Sequence, residues 1–246
     1  MSAPRLHSRK EPAVEHAAII VSHGQPSDPD PAEAALAEFA ANVARSLPGW
    51  HVGSATLAKP GALEAALADA GAGARIFPYF MTGGWFTGEA LMQRLEGVQA
   101  EVLPPFGLDP GLPGLAAALL ADVMTEQGWH APEVRVFLAA HGSGRSPQTA
   151  RDTQAFAAAL AELLPVAELR VGFVEEPPYL ADQAFDLGAR AICLPFFAAK
   201  GGHVLDDIPD ALALAEFQGV LMDPLGCAPG AAALVARSLA RAQVPA

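Results

Sequence analysis

The sequence has 246 residues and sets 15 Lys+Arg against 27 Asp+Glu, a formal net charge of −12. That balance excludes nucleic acid as a partner and argues against docking on anionic lipid, because both surfaces need a dense cationic face. A hydrophobic fraction of 52% with 17% charge suits an α/β enzyme with a sizeable core. The longest apolar runs, Val136 to Ala140 and Ala191 to Ala199, fall well short of the roughly 20 residues of a membrane-spanning helix, so no membrane segment is expected.

Residues 1–15 are polar, carry both charge signs and lack the apolar run of a secretory signal; they read as a flexible tail on a cytoplasmic protein. The first element, His16 to Gly24 (HAAIIVSHG), is an apolar strand near 17–22 that ends in His23-Gly24. Strands near 51–57, 75–80 and 99–103 follow, separated by helical stretches, and complete a first lobe over residues 16–127. Gly128 to Glu133 reads as a linker over 128–133.

The chain then begins again. Val134 to Gly142 (VRVFLAAHG) repeats the opening strand and sets His141 at an offset of 118 from His23. IFPYF (Ile76 to Phe80) matches ICLPFF (Ile192 to Phe197), pairing Pro78 with Pro195 at an offset of 117. VLPPFGLDPG (Val102 to Gly111) matches LMDPLGCAPG (Leu221 to Gly230), pairing Pro105 with Pro224 at an offset of 119. A near-constant offset in unbroken order marks an internal duplication.

The second lobe, residues 134–246, has strands near 134–140, 168–174, 191–197 and 218–222, with helices near 148–164, 178–187, 205–215 and 229–241. Pro147 and Pro178 are expected near first-turn positions, where a missing N–H costs little. Continuous apolar strands alternating with amphipathic helices predict an α/β fold of two similar lobes, each a four-stranded parallel sheet flanked by helices.

In open parallel sheets ligands sit beyond the carboxyl ends of the strands, and two similar lobes leave a cleft between them. Both His-Gly pairs fall at such ends. His141 precedes the loop Gly142-Ser143-Gly144, Glu175 and Glu176 follow the second strand of their lobe, and His203 follows the third in FFAAKGGH. Three strand ends of one lobe thus each deliver a metal ligand or proton acceptor to one sheet edge. Two histidines and a carboxylate bind a divalent first-row metal with positions left open, and also serve as bases; the residue types alone leave a hydrolytic metal site equally open. His7, His16, His51 and His130 fall in the tail, at strand starts and in the linker, where surface or capping roles are expected. Cys193 and Cys227 form no metal-type spacing, and Cys193 lies in an apolar strand.

The motifs HGSGRSP (His141 to Pro147), VGFVEEPP (Val171 to Pro178) and LPFFAAKGGHVLDDIP (Leu194 to Pro209) resemble the sirohydrochlorin chelatases, class II chelatases of cobalamin and siroheme biosynthesis. The resemblance is closest in the second half and is to the tandem-repeat form, so a monomer suffices to form one cleft. It implies a chelatase-like fold and insertion of Co²⁺ or Fe²⁺, with Ni²⁺ in some members, into a small-molecule tetrapyrrole without ATP. It also implies His141, Glu175 and His203 as catalytic metal ligands. Aligning Pro78 with Pro195 sets Phe86 opposite His203 and Thr56 or Leu57 opposite the glutamates, so the first lobe keeps only His23 of the set.

Ser143, Arg145 and Lys200 are expected to offset the many carboxylates of such a substrate, with His23 and Phe86 facing it. Trp85, Phe196 and Phe197 are further candidates to stack on the ring. A non-catalytic metal or tetrapyrrole carrier is the alternative expectation.

Overall fold

In the computed structural model, residues 16–241 are described; the tail expected at residues 1–15 and the final residues 242–246 of the second lobe lie outside the described residues. The first lobe contains strands β1 (His16–Ser22), β2 (Trp50–Thr56), β3 (Ala74–Pro78) and β4 (Ala100–Val102), with helices α1 (Pro29–Ala44), α2 (Ala62–Ala70), α3 (Leu91–Arg94) and α4 (Leu112–Gln127). The second lobe contains β5 (Arg135–Ala140), β6 (Glu168–Phe173), β7 (Ala191–Phe196) and β8 (Val220–Leu221), with α5 (Pro147–Leu163), α6 (Leu180–Ala184), α7 (Ile208–Leu214) and α8 (Ala231–Arg241). Both sheets are wholly parallel and share one topology, β2-β1-β3-β4 and β6-β5-β7-β8.

The burial of the strands follows from their two-residue period. On β5, Phe137 and Ala139 face an outer layer with Leu180, Ala184, Ile208 and Leu212 from α6 and α7. Val136, Leu138 and Ala140 face the other way, into a core that also contains Ala18, Ile20 and Phe77 of the first lobe. The lobes therefore share one central core, filled by side chains of α1, α4, α5 and α8, and each keeps a smaller outer layer of its own. This is why continuous apolar strands were required: each sheet is covered on both faces.

Polar contacts fix the lobes against each other inside that core. Buried Asp109 accepts a hydrogen bond from the Ser238 hydroxyl and pairs with Arg241 at 3.1 Å. The buried Tyr79 hydroxyl donates to the Gly226 carbonyl, and burial raises its pKa well above the usual phenol value.

Two elements of the second lobe differ from the sequence expectation. The helix expected near 178–187 shrinks to Leu180–Ala184, because Asp186 adopts a left-handed φ of 56° just beyond it. Tyr179 occupies the N-cap, so Pro178 lies outside the first turn. The segment after β7 opens as a π-helical turn, His203–Asp207, before α7, and the first lobe repeats it at Phe86–Ala90.

The duplication also reaches the close contacts. Gly107 and Gly226 donate their N–H groups to Phe80 O and Phe197 O, both at 2.9 Å. A Cβ on Gly107 would stand 1.7 Å from Met81 O, and one on Gly226 2.2 Å from Ala198 O. Only glycine fits between these backbones. Gly107→Ala should therefore destabilise the chain by about 1–3 kcal/mol, read as a Tm drop of roughly 2–10 °C in thermal unfolding; an unchanged Tm would show that the contact is not as close as described.

Candidate metal centre

The strand order β6-β5-β7-β8 creates a topological switch point, since the chain leaves β5 on one side and returns on the other. His141 directly follows β5 and Glu175 lies two residues beyond β6, while His203 lies seven residues beyond β7. The ligand atoms of these three residues all lie within 4.8 Å of one another. The two imidazole rings meet edge to face with centroids 4.5 Å apart. His141 and Glu175 are exposed and His203 is half-buried, so the cluster opens to solvent on one side.

Hydrogen bonds fix the tautomer of both rings. Nδ1 of His141 lies 2.8 Å from the Gly142 carbonyl, and Nδ1 of His203 lies 2.6 Å from Asp207 Oδ2. A carbonyl or carboxylate oxygen only accepts, so each Nδ1 carries the proton and donates it. Each Nε2 is left with a free lone pair, the usual condition of a metal-binding histidine. Asp207 escaped the sequence reading; its spacing of four residues from His203 on a helical turn was the available signal.

The two adjacent glutamates have different partners. Glu175 joins the histidines, whereas Glu176 turns back and accepts the Ser143 N–H at 2.7 Å. Gly142, with φ +71°, lets the loop pass against this clamp: a Cβ there would lie 2.8 Å from Phe173 Cβ and 3.0 Å from Glu176 Cγ. The Ser143 hydroxyl accepts the Arg145 and Ser146 N–H groups, which tightens the same loop.

The remaining expected residues scatter around this centre. Arg145 is exposed and has no ion-pair partner among the described residues. Lys200 instead pairs with Asp223 at 2.7 Å, and that carboxylate raises its pKa. Phe197 stands 6.4 Å from the His141 ring and 6.5 Å from the His203 ring. Phe196 does not face the site: it is buried and packs on Phe156 at 4.5 Å.

In the first lobe His23 donates from Nδ1 to the Gly24 carbonyl at 2.8 Å, as His141 does to its neighbour. Phe86 packs edge to face on His23 with centroids 4.2 Å apart, which is the arrangement of His203 on His141. The residue opposite Glu175 is Ala58, neither Thr56 nor Leu57: Ala58 N bonds His23 O at 2.8 Å just as Glu175 N bonds His141 O at 3.0 Å. Backbone register decides this, and the offset between the repeats shifts by one residue along the chain. Trp85 is 57% and Phe86 41% exposed, large values for such rings. Their loop is tied to the second lobe where the Gly83 N–H donates to Asp152 of α5 at 2.8 Å.

Two surface cavities lie elsewhere. One of about 410 Å³ runs along α5 and β6, and one of about 220 Å³ lies at the start of β1 and β2; neither is lined by the His–Glu cluster.

Comparison with known proteins agrees with this architecture. The CbiX family profile matches residues 135–242. The structure of CbiX, described as the terminal enzyme for biosynthesis of siroheme in denitrifying bacteria, is 45% identical; the match covers 94% of this chain and 100% of that one, with a TM-score of 0.85. This chain belongs to the CbiX family. The family is one of sirohydrochlorin chelatases, enzymes of the lyase class.

Two more distant structures share the fold. SirB from Bacillus subtilis with Fe³⁺ is 18% identical, covers 92% of this chain and 94% of its own, and has a TM-score of 0.73. The sirohydrochlorin chelatase SirB from Bacillus subtilis subspecies spizizenii in complex with cobalt is 17% identical over the same shares, with a TM-score of 0.67. No curated protein matches the sequence. Among the described residues, no helix is long and apolar enough to cross a membrane.

The different partners of the two glutamates predict different effects of substitution. Glu176→Ala removes the acceptor of a charge-assisted hydrogen bond and should lower stability by about 1–2 kcal/mol, whereas Glu175→Ala should leave Tm unchanged. Thermal unfolding of the two variants checks this, and equal Tm values would remove the distinction.

Proposed function

We propose that this chain inserts a divalent metal, Co²⁺ or Fe²⁺, into a sirohydrochlorin-type tetrapyrrole without ATP, and that His141, Glu175 and His203 handle the metal. One observation carries the reading: two imidazoles and a carboxylate lie within 4.8 Å of one another at a topological switch point. The family supplies the reaction class, and the 45% identical CbiX is described as an enzyme of siroheme biosynthesis.

The reaction exchanges two pyrrole N–H protons for one metal ion. The two Nε2 lone pairs hold the incoming cation and present it to one face of the ring, leaving other coordination positions open for the pyrrole nitrogens. Both pyrrole protons end in solvent; Glu175, exposed and acceptor-only when ionised, either completes the metal's coordination or relays those protons outward one at a time. Because the histidine protons sit on Nδ1 and are bonded to Gly142 O and Asp207, neither ring has to change tautomer when the metal arrives.

The first lobe supplies the opposing surface. Trp85 and Phe86 offer exposed aromatic faces, and the Gly83–Asp152 hydrogen bond ties their loop to α5 of the other lobe. A macrocycle held against them is fixed in orientation and partly desolvated, which lowers the barrier if it is bent toward the reacting shape. Arg145, which follows His141 in the loop and has no ion-pair partner among the described residues, meets a substrate carboxylate. Lys200 contributes less, since Asp223 already partners it.

The metal preference follows from geometry and supply rather than from ligand type, so Co²⁺ and Fe²⁺ are both substrates of this site. His203→Ala should abolish insertion while tetrapyrrole binding persists; insertion of Co²⁺ and Fe²⁺ into sirohydrochlorin, followed by absorbance, reads it out. Normal rates in that variant at saturating metal would refute the assignment, and binding of both substrates by the parent without insertion would identify a carrier instead. Arg145→Ala should raise KM for the tetrapyrrole about tenfold, the loss of a charge-assisted contact of about 1.4 kcal/mol, with kcat kept.

A further inference from the structure

The π-helical turn after the third strand occurs in both lobes, yet only one copy carries a histidine and an acid. Phe86–Ala90 and His203–Asp207 are equivalent at an offset of 117, which pairs Phe86 with His203 and Ala90 with Asp207. The first-lobe turn keeps an acid at Glu89, opposite Asp206, but where the imidazole is missing the carboxylate four residues on is missing too. The turn forms without it, so folding the turn does not require Asp207. Asp207 is exposed and bonds only the His203 ring among the described residues, at 2.6 Å.

The other imidazoles follow the same logic with a weaker acceptor. His141 and its counterpart His23 both donate from Nδ1 to the carbonyl of the next residue at 2.8 Å. His203 alone of the three donates to a charged group. A carboxylate on Nδ1–H pushes electron density toward Nε2 and holds the ring plane more firmly than a carbonyl does.

We infer that Asp207 is a positioning residue for metal capture: it orients His203 and makes its Nε2 the stronger of the two imidazole donors. This rests on the metal-handling role proposed above for His203. The cation is then bound first and most firmly through His203, while His141, backed only by a carbonyl, is the weaker ligand from which it passes to the ring.

The test is calorimetric titration of Co²⁺ into the full chain, without tetrapyrrole, for the parent, Asp207→Ala, Asp207→Asn and His203→Ala, with Tm measured for each. Asp207→Ala should weaken Co²⁺ binding about 10–100-fold at unchanged Tm. Asp207→Asn, which keeps an acceptor but loses the charge, should recover part of that loss. Parent-like Co²⁺ affinity in Asp207→Ala, no recovery in Asp207→Asn, or a loss accompanied by a lowered Tm would each overturn the inference while leaving the metal site standing. Parent-like affinity in His203→Ala would instead overturn the site itself, and the inference with it.

Discussion

The arrangement of the second sheet rests on one constraint: β5 must lie between β6 and β7. Only then do the ends of all three strands open on the same crevice, so that side chains from positions 141, 175 and 203 converge. The apolar stretches Val136 to Ala140 and Ala191 to Phe196 suit the two interior places, because a strand buried on both faces belongs in the interior of a sheet. The hydrogen bonds around the crevice complete it. With each Nδ1 proton donated to an oxygen, both Nε2 lone pairs are left free.

The duplication separates what the fold needs from what the chemistry needs. Both lobes keep the strand order, the His-Gly turn with its left-handed glycine, the π-helical turn and the glycine pressed against the loop after the third strand. Those features are demands of backbone packing, and they survive in the lobe without a metal-ligand set. Glu175, His203 and Asp207 have become Ala58, Phe86 and Ala90 in that lobe, at no cost to the shared core. Phe86 nevertheless makes on His23 the edge-to-face contact that His203 makes on His141, so an apolar ring stands in the place of the second imidazole.

Charge poses the harder problem for this molecule. A chain of net charge −12 repels a polycarboxylate at long range, so attraction has to be local. Lys200 is bound to Asp223, whereas Arg145, four residues beyond His141, has no ion-pair partner among the described residues. The backbone of the loop that carries it is stiffened by Glu176 and by the Ser143 hydroxyl.

The sequence by itself determined the α/β class, the two parallel four-stranded sheets, the duplication and the family, because apolar strand runs and a constant repeat offset are local properties of the chain. It also offered four candidate ligands, His141, Glu175, Glu176 and His203. The family resemblance pointed to Glu175, and only the tertiary structure gives the two glutamates different partners, since adjacent residues of like chemistry differ in where the backbone aims them. Tertiary structure alone moved Phe196 into the core, tied Lys200 to Asp223 and set Ala58 opposite Glu175. Each of those outcomes depends on a partner distant in the chain or on strand register, and neither is written in spacing along one segment.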